Sequence, residues 1–275
     1  EYEYYGMGMA LSNASFQHTA PWANAGMEFF ARIPREAIVN TSTHAYYGNF
    51  SYHWYGYYRS LAAVADGLRA LENEDVAADL TASQITRARA YGKFMQGLNH
   101  ASLALLYDQG FIVDETVDIS EAQTAVGYQE MMDAALGYFA DAASIASGAD
   151  FTVPRDWTGS AIPADQLAQW AHSARARYRA AVARTPEERA AVDWNAVITD
   201  LDAGVTEDLV INMDLNRGFF NWALYYGARP GWSEVPYFII GMADQSGNYQ
   251  TWLNTPVGQR EAIIDGTDIL IETDD

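Results

Sequence analysis

The sequence predicts an all-α protein, a helical-repeat scaffold of stacked helix pairs with long aromatic loops and an irregular C-terminal region. Three observations carry that expectation. Apolar residues recur every three or four positions over several long segments, the signature of amphipathic helices. These segments begin near residues 46, 82, 120 and 163, at intervals of roughly 35 to 43, which is what a helix–turn–helix unit stacked on its neighbour produces. Beyond Asn212 the period gives way to punctuation by Gly218, Gly227, Pro230, Gly231, Pro236, Gly241, Gly247, Pro256, Gly258 and Gly266. The expected organisation is a single domain over 1–275, with the helical core at 44–205 and a loop-rich region at 206–275 packed on it.

Residues 1–43 are rich in Tyr, Met, Gly, Asn and Ser and lack a sustained period, so extended or looped chain is expected, with a short helix near Ala23 to Arg32. Asn13, Asn40 and Asn49 each open an Asn-x-Ser/Thr acceptor pattern, at a frequency this composition supplies by chance. From Tyr46 to Leu71, the positions Tyr47, Trp54, Tyr58, Leu61, Val64, Leu68 and Leu71 predict a long helix with an aromatic first half. Asn73-Glu74-Asp75 reads as a polar turn, after which Thr81 to Gly110 forms the central helix, antiparallel to the first. Ile85, Ala88, Tyr91, Met95, Leu98, Ser102 and Leu105 line one side of it, and the small residues Ala90, Gly97, Ala101 and Ala104 line another. Small side chains admit a neighbouring backbone, so this helix is expected to be packed on two faces. Thr81 or Ser83 can cap its start, and Gly110 can end it in a left-handed conformation.

FIVDETVD, residues 111–118, reads as an extended excursion. Ser120 with Gln123 fits a capping box, predicting a helix from there to about Ser147, ended by Gly148, with Ala125, Met132, Ala135, Leu136, Phe139, Ala143 and Ile145 toward the core. Residues 154–163 carry two prolines and a glycine and are expected to loop. A helix from Ala164 to Ala183 follows, its arginines placed against the negative pole of its dipole. Thr185-Pro186-Glu187-Glu188 combines a cap, a first-turn proline and a third-position glutamate. It opens either one helix through Val205 or a short one that restarts at Asp193.

Composition removes several classes of function. The formal net charge of −20 and pI near 4.4 repel phosphate backbones and anionic lipid, so no nucleic-acid partner is expected. Lys93 is the one lysine, and cysteine is absent, which excludes disulfides, thiol catalysis and thiolate metal sites. No apolar run approaches the ~18 to 20 residues that span a bilayer. The sequence opens at Glu1 without an initiator Met or a signal-like segment, as expected of a chain whose leader is removed or of a fragment.

WYGYYRSLAAVADGLRAL, residues 54–71, followed by RARAYGKFMQGLNHASLALLYDQGF, residues 87–111, resembles the paired helices of the SusD/RagB group of nutrient-binding outer-membrane lipoproteins. DWNAVITDLDAG, residues 193–204, is similar to that group's helix in which Trp precedes an apolar-apolar-x-Asp-Leu step. The resemblance implies a tetratricopeptide-like, SusD-like scaffold at the extracellular face of the outer membrane. Its loops would bind glycan or peptide above a TonB-dependent transporter.

The residue excess that bears on binding is aromatic, with 18 Tyr and 8 Trp. Sugar rings stack apolar C–H faces on aromatic side chains while their hydroxyls bond amides nearby. Trp22, Tyr46, Tyr47 and Trp232, and Tyr249 with Trp252 and Asn254, fit that pattern and are the candidate ligand-binding residues. Packing of loops onto the scaffold is the competing role for each, and core packing is expected of Trp54, Tyr58 and Phe94.

The five histidines show no metal-ligand spacing. Asp265-Gly266-Thr267-Asp268 could contribute to a calcium loop but lacks the ligand pattern of an EF-hand, and a solvated turn is the simpler reading. No Gly-x-Ser-x-Gly elbow is present, and Gly6-Met7-Gly8 lacks a third glycine. Asp66 and Asp200 sit within otherwise apolar helix patterns, where a structural hydrogen bond or a solvated face competes with catalysis. The expectation is a protein without enzymatic activity, cofactor or metal that binds glycan or oligomeric nutrient. The alternative is an assembly subunit using the same helices as protein interfaces, with a glycosidase on a helical fold third.

Overall fold

The computed structural model describes residues 7–19, 26–34, 36, 38–118, 120–212 and 234–260. The chain divides into two compact units, Glu1–His53 with Asn221–Asp275, and Trp54–Phe220. The fold is mostly helical. The elements are α1 (Met7–Ala14), α2 (Met27–Ala31), α3 (Gly48–Ala70), α4 (Glu74–Ala78), α5 (Ala82–Leu106), α6 (Tyr128–Ala146), α7 (Arg155–Thr158), α8 (Ala164–Ala181), α9 (Pro186–Ala190) and α10 (Trp194–Asp202). Two further helices, Tyr237–Ala243 and Asn248–Asn254, belong to the first unit. Among the described residues, strands are confined to two-residue ribbons. β1 (Gln109–Gly110) pairs antiparallel with β2 (Val126–Gly127), and β3 (Thr152–Val153) with β4 (Ile162–Pro163).

In the second unit the long helices form an up-and-down array. Asn99 bonds Ser60, the backbone of Gly92 lies against Leu68, and Arg89 pairs with Glu72, so α5 runs antiparallel to the second half of α3. The next step keeps the alternation, because Ser83 at the start of α5 bonds the Asp150 carbonyl just past α6, while Tyr128 at the start of α6 donates its N–H to Asp108 just past α5. Gly148 after α6 donates to Asp165 at the start of α8. α10 then packs on α8.

The core of this unit lies on the small-residue face of α5. Ala90, Phe94, Ala101 and Ala104 are fully buried, and they meet Met131, Met132, Ala135, Phe139 and Ala142 of α6 and Leu167 and Ala171 of α8. The other stripe, from Ile85 to Ser102, is only half-buried and Leu105 is exposed. Backbone closeness explains why the small residues won. A Cβ on Gly97 would stand 2.8 Å from the Phe139 ring, and one on Gly92 would stand 2.7 Å from Leu68, so α5 is packed closely on two sides.

Several ends differ from the sequence expectations. Thr81 and Gln84 do form the reciprocal capping box of α5. The helix stops at Leu106, however, with Tyr107 extended at φ −126°. Gly110 instead sits in β1, where a Cβ would meet the Tyr58 hydroxyl at 2.7 Å and Met131 Sδ at 2.8 Å. Ser120 and Gln123 do not start α6. Asp118 Oδ1 takes both the N–H and the hydroxyl of Ser120, Gln123 donates to the Asp118 and Glu121 carbonyls, and β2 delays the helix to Tyr128. Gly148, at φ +68°, follows the end of α6 as expected. After Thr185 caps α9, Asp193 caps a separate α10. Residues 7–14, expected to loop, are helical as α1.

Alanine at Gly97 forces Phe139 or the α5–α6 spacing to shift, and we expect it to destabilise the protein by about 1–3 kcal/mol. Gly67 in α3 is exposed with open space around it, so Gly67→Ala should stabilise by about 0.5–1 kcal/mol through backbone entropy. Urea unfolding midpoints of the two variants, moving in opposite directions, would check the close approach.

Candidate ligand-binding surfaces

In the first unit, local hydrogen bonding builds a short helix around an aromatic pair. Asp244 Oδ1 accepts from the N–H and hydroxyl of Ser246, and its Oδ2 accepts from the N–H of Tyr249. That turn places Gly247 at φ +79°, a conformation glycine takes without steric cost, and starts the helix Asn248–Asn254. Tyr249 and Trp252, one helical turn apart, stand with ring centroids 6.0 Å apart and planes 24° from parallel. The guanidinium of Arg260 lies 4.7 Å from the Trp252 centroid. Its Nε donates to the Thr255 carbonyl and its Nη2 to that of Leu253, so the arginine serves the open end of the helix and fixes the indole together. Tyr249 covers Gly241 so tightly that no side chain fits there.

Both rings are half-buried, whereas Asn254 is exposed. Met242 and Val257, in the same unit, are 72% and 79% exposed. A rigid aromatic pair with an amide in reach of water presents what a sugar ring or an extended apolar ligand needs, ring surface for stacking and polar groups for orientation.

The other predicted residues fall elsewhere. Tyr46 belongs to a packing cluster with Phe29, Phe30 and His44, at ring distances of 5.5, 6.2 and 6.0 Å, and its ring closes over Gly26. Tyr47 is half-buried, with its backbone N–H bonded to His44 and its carbonyl accepting from Phe50 and Ser51. Trp22, Trp232 and the Asp265–Asp268 turn lie outside the described residues. Of the acceptor asparagines, Asn13 and Asn49 are buried and Asn40 is exposed.

A further aromatic surface, not anticipated from sequence, is on α7 in the second unit. Trp157 is 41% exposed. Arg87 stands 5.1 Å over its ring, and Tyr91 flanks it with centroids 5.6 Å apart and a hydroxyl bonded to the Trp157 carbonyl. Burial pushes the Tyr91 phenol up to about 12, so it is a hydrogen-bond donor at neutral pH. The available signal was a Trp between Pro154 and Gly159 in a stretch read only as a loop.

The titratable groups of the second unit gather where segment 111–118 crosses the helices. Glu115 accepts from Lys93 at 2.6 Å and from Gln96 at 2.7 Å. Asp114 accepts from the Tyr138 hydroxyl at 2.7 Å and from the N–H and hydroxyl of Thr116. Burial pushes both carboxylates up, but these hydrogen bonds and the Lys93 charge outweigh it and hold both below their ordinary range. His100 is fully buried. Its Nε2 accepts from the Val113 N–H at 3.0 Å, so Nδ1 carries the proton toward the Gln96 carbonyl 2.8 Å away. Burial pushes its pKa down to about 4, against the pull of the Gln96 carbonyl and Asp114. Each of these groups is matched by a partner on another element, and together they hold the segment on α5.

The two helix carboxylates singled out in the sequence resolve oppositely. The Asp66 side chain is 70% exposed beside Arg69, a solvated pair. Asp200 is buried at the α8–α10 seam, facing His172 at 3.2 Å, Arg175 at 3.3 Å and Arg179 at 3.7 Å. Arg179 also lines a cleft of about 240 Å³ between α6, α8 and α9, whose walls include Met132, Leu136, Val182 and Val192.

Among the described residues no group of three or more His, Cys, Asp or Glu side chains could hold a metal ion, and no helix is long and apolar enough to cross a membrane. No protein-family model, curated protein or solved structure matches the chain.

The buried neutral imidazole makes a pH prediction. Below about pH 6.5 the unfolded chain protonates His100, whereas the folded protein resists until about pH 4. Stability is therefore present above 6.5 and is lost as the pH falls toward 4, by about 2–3 kcal/mol between about pH 7 and about pH 4.5. Asp114 and Glu115 withdraw their contributions only at lower pH. Chemical denaturation across this range should show the slope, and His100→Asn should remove it while lowering stability at neutral pH.

Proposed function

We propose that this chain is a non-enzymatic ligand-binding protein of the cell surface, in which a helical-repeat, SusD-like scaffold displays aromatic side chains to glycan or oligomeric nutrient. The observation that carries the reading is the Tyr249–Trp252 pair, which Asp244 and Arg260 fix in place while Asn254 stays exposed beside it. Preorganised rings lose little rotamer freedom when a ligand stacks on them. The exposed Trp157, held by Arg87 and Tyr91, is of the same kind.

The scaffold part of the proposal draws on the antiparallel run of α3, α5, α6 and α8, which stacked helix pairs require. Operation with a TonB-dependent transporter at the outer membrane rests on the resemblance of the segments that form α3, α5 and α10. The assembly-subunit reading has separate support in the apolar outer side of α10, where Trp194, Ile198 and Leu201 are exposed.

A carbohydrate array probed with the purified chain and with Tyr249→Ala/Trp252→Ala is the test. Selective binding weakened about tenfold or more in the double variant, the equivalent of about 1.4 kcal/mol or more of lost stacking, is expected. A well-folded wild-type chain that binds no glycan, or a double variant that binds equally well, would overturn the reading.

A further inference from the structure

The cleft between α6, α8 and α9 encloses about 240 Å³, below the ~300–1,000 Å³ of pockets that take drug-sized ligands. Its walls are mostly aliphatic. Met132 and Leu136 of α6 are buried, Val182 and Val192 are half-buried, and no aromatic ring lines the space. Three charged side chains also line it, Arg179, Asp133 and Glu188. Glu188 is already committed, because its carboxylate accepts from the Tyr128 hydroxyl, the Gln129 amide and the Arg184 N–H. The other two are not.

Arg179 donates no hydrogen bond to the described residues. Its Nε is sealed from water and unpaired. Its one ion pair, from Nη2 to Asp200 Oδ2, stands at 3.7 Å, longer than a hydrogen bond. Asp200 cannot neutralise it alone, since that carboxylate also faces His172 at 3.2 Å and Arg175 at 3.3 Å. A guanidinium on a side chain only 22% exposed, without an acceptor, is costly to the fold. Asp133 is exposed and makes no hydrogen bond or ion pair among the described residues, so it does not reach Arg179 either.

One small aliphatic cleft thus holds a cation and an anion that are apart from each other and unspent. We infer that it is a binding site for a free aliphatic amino acid. The carboxylate of the ligand takes the Nη N–H groups that Arg179 leaves unused, a charge-assisted contact. Its ammonium sits by Asp133, and its side chain lies on Met132, Leu136, Val182 and Val192. A fatty acid without an amine would meet the carboxylates of Asp133 and Glu188 uncompensated, and an amine without a carboxylate would leave Arg179 unpaired. The site lies wholly in the second unit and does not rest on the Tyr249–Trp252 reading.

Isothermal titration calorimetry of the full chain with L-leucine, L-isoleucine and L-valine tests the site. It is run beside 4-methylpentanoate and 3-methylbutylamine, which are leucine without its amine and without its carboxylate. The expected result is that leucine binds and that each analogue binds about tenfold or more weakly. Arg179→Gln should erase the preference for leucine over the amine, and Asp133→Asn the preference for leucine over the acid. Both variants are verified as folded by circular dichroism. Asp133 is exposed and unbonded, so Asp133→Asn keeps the fold even where Arg179→Gln disturbs the α8–α10 seam. A folded wild-type chain that binds none of the three amino acids would overturn the inference. So would an analogue that matches leucine, or a leucine affinity that Asp133→Asn leaves unchanged.

Discussion

Arg184 satisfies the carbonyl end of α5, and the arrangement of the second unit depends on that. The last carbonyls of a helix have no partner within it and must find one elsewhere. Gly110, the residue suited to a left-handed cap, is committed to β1 against Tyr58 and Met131. Arg184, about 80 residues further along, reaches back instead. Its Nη2 donates to the carbonyls of Ala104 and Tyr107, its Nη1 pairs with Asp108, and its guanidinium lies 3.8 Å from the centroid of Tyr128. Tyr128 in turn donates to Glu188, which also accepts the backbone N–H of Arg184. One side chain thereby couples the end of α5, the start of α6 and the connection from α8 to α9.

The polar residues inside α5 answer to the same enclosure. Gln96, Asn99 and His100 are buried in mid-helix, where polar groups are tolerated only when bonded. Asn99 reaches Ser60 of α3, while Gln96 and His100 reach the segment that follows the helix. The excursion at 111–118 thus supplies partners for the Gln96 amide NH2 and the His100 ring inside a closely packed helix. Alanine and glycine bring the neighbours close, and the amides and imidazole fix the register.

Local chemistry was legible in the sequence, and distant chemistry was not. The Thr81 cap, Thr185 with Pro186 and Glu188, and Gly148 could be read because each signal and its effect lie within a few residues. Ser120 misled because Asp118, two residues earlier, competes for the same hydroxyl and N–H. At the aromatic site, Tyr249 and Trp252 stood out as aromatics beside the amide of Asn254, and the structure places them one turn apart on a helix. Arg260, which fixes them, and the Arg87–Trp157–Tyr91 group come together only through the fold. Asp200 stood out as an acid in an apolar pattern, but its basic partners on α8 lie 21 to 28 residues away, so its structural use could not be told from a catalytic one. Nothing in the sequence distinguished the packed Tyr46 from the partly open Tyr249, since both sit in aromatic, amide-rich stretches.

The single lysine has a practical consequence. Lys93 is 18% exposed and bonded to a glutamate that is itself only 22% exposed. Acylating its amine removes the charge that Glu115 and the Tyr138 ring hold in place. Reagents that couple to lysine therefore find their one side-chain target in this protein guarded by the segment at 111–118. The rate of Lys93 modification in the native state becomes a clock for how often that segment lifts, read at a single site without any engineered label.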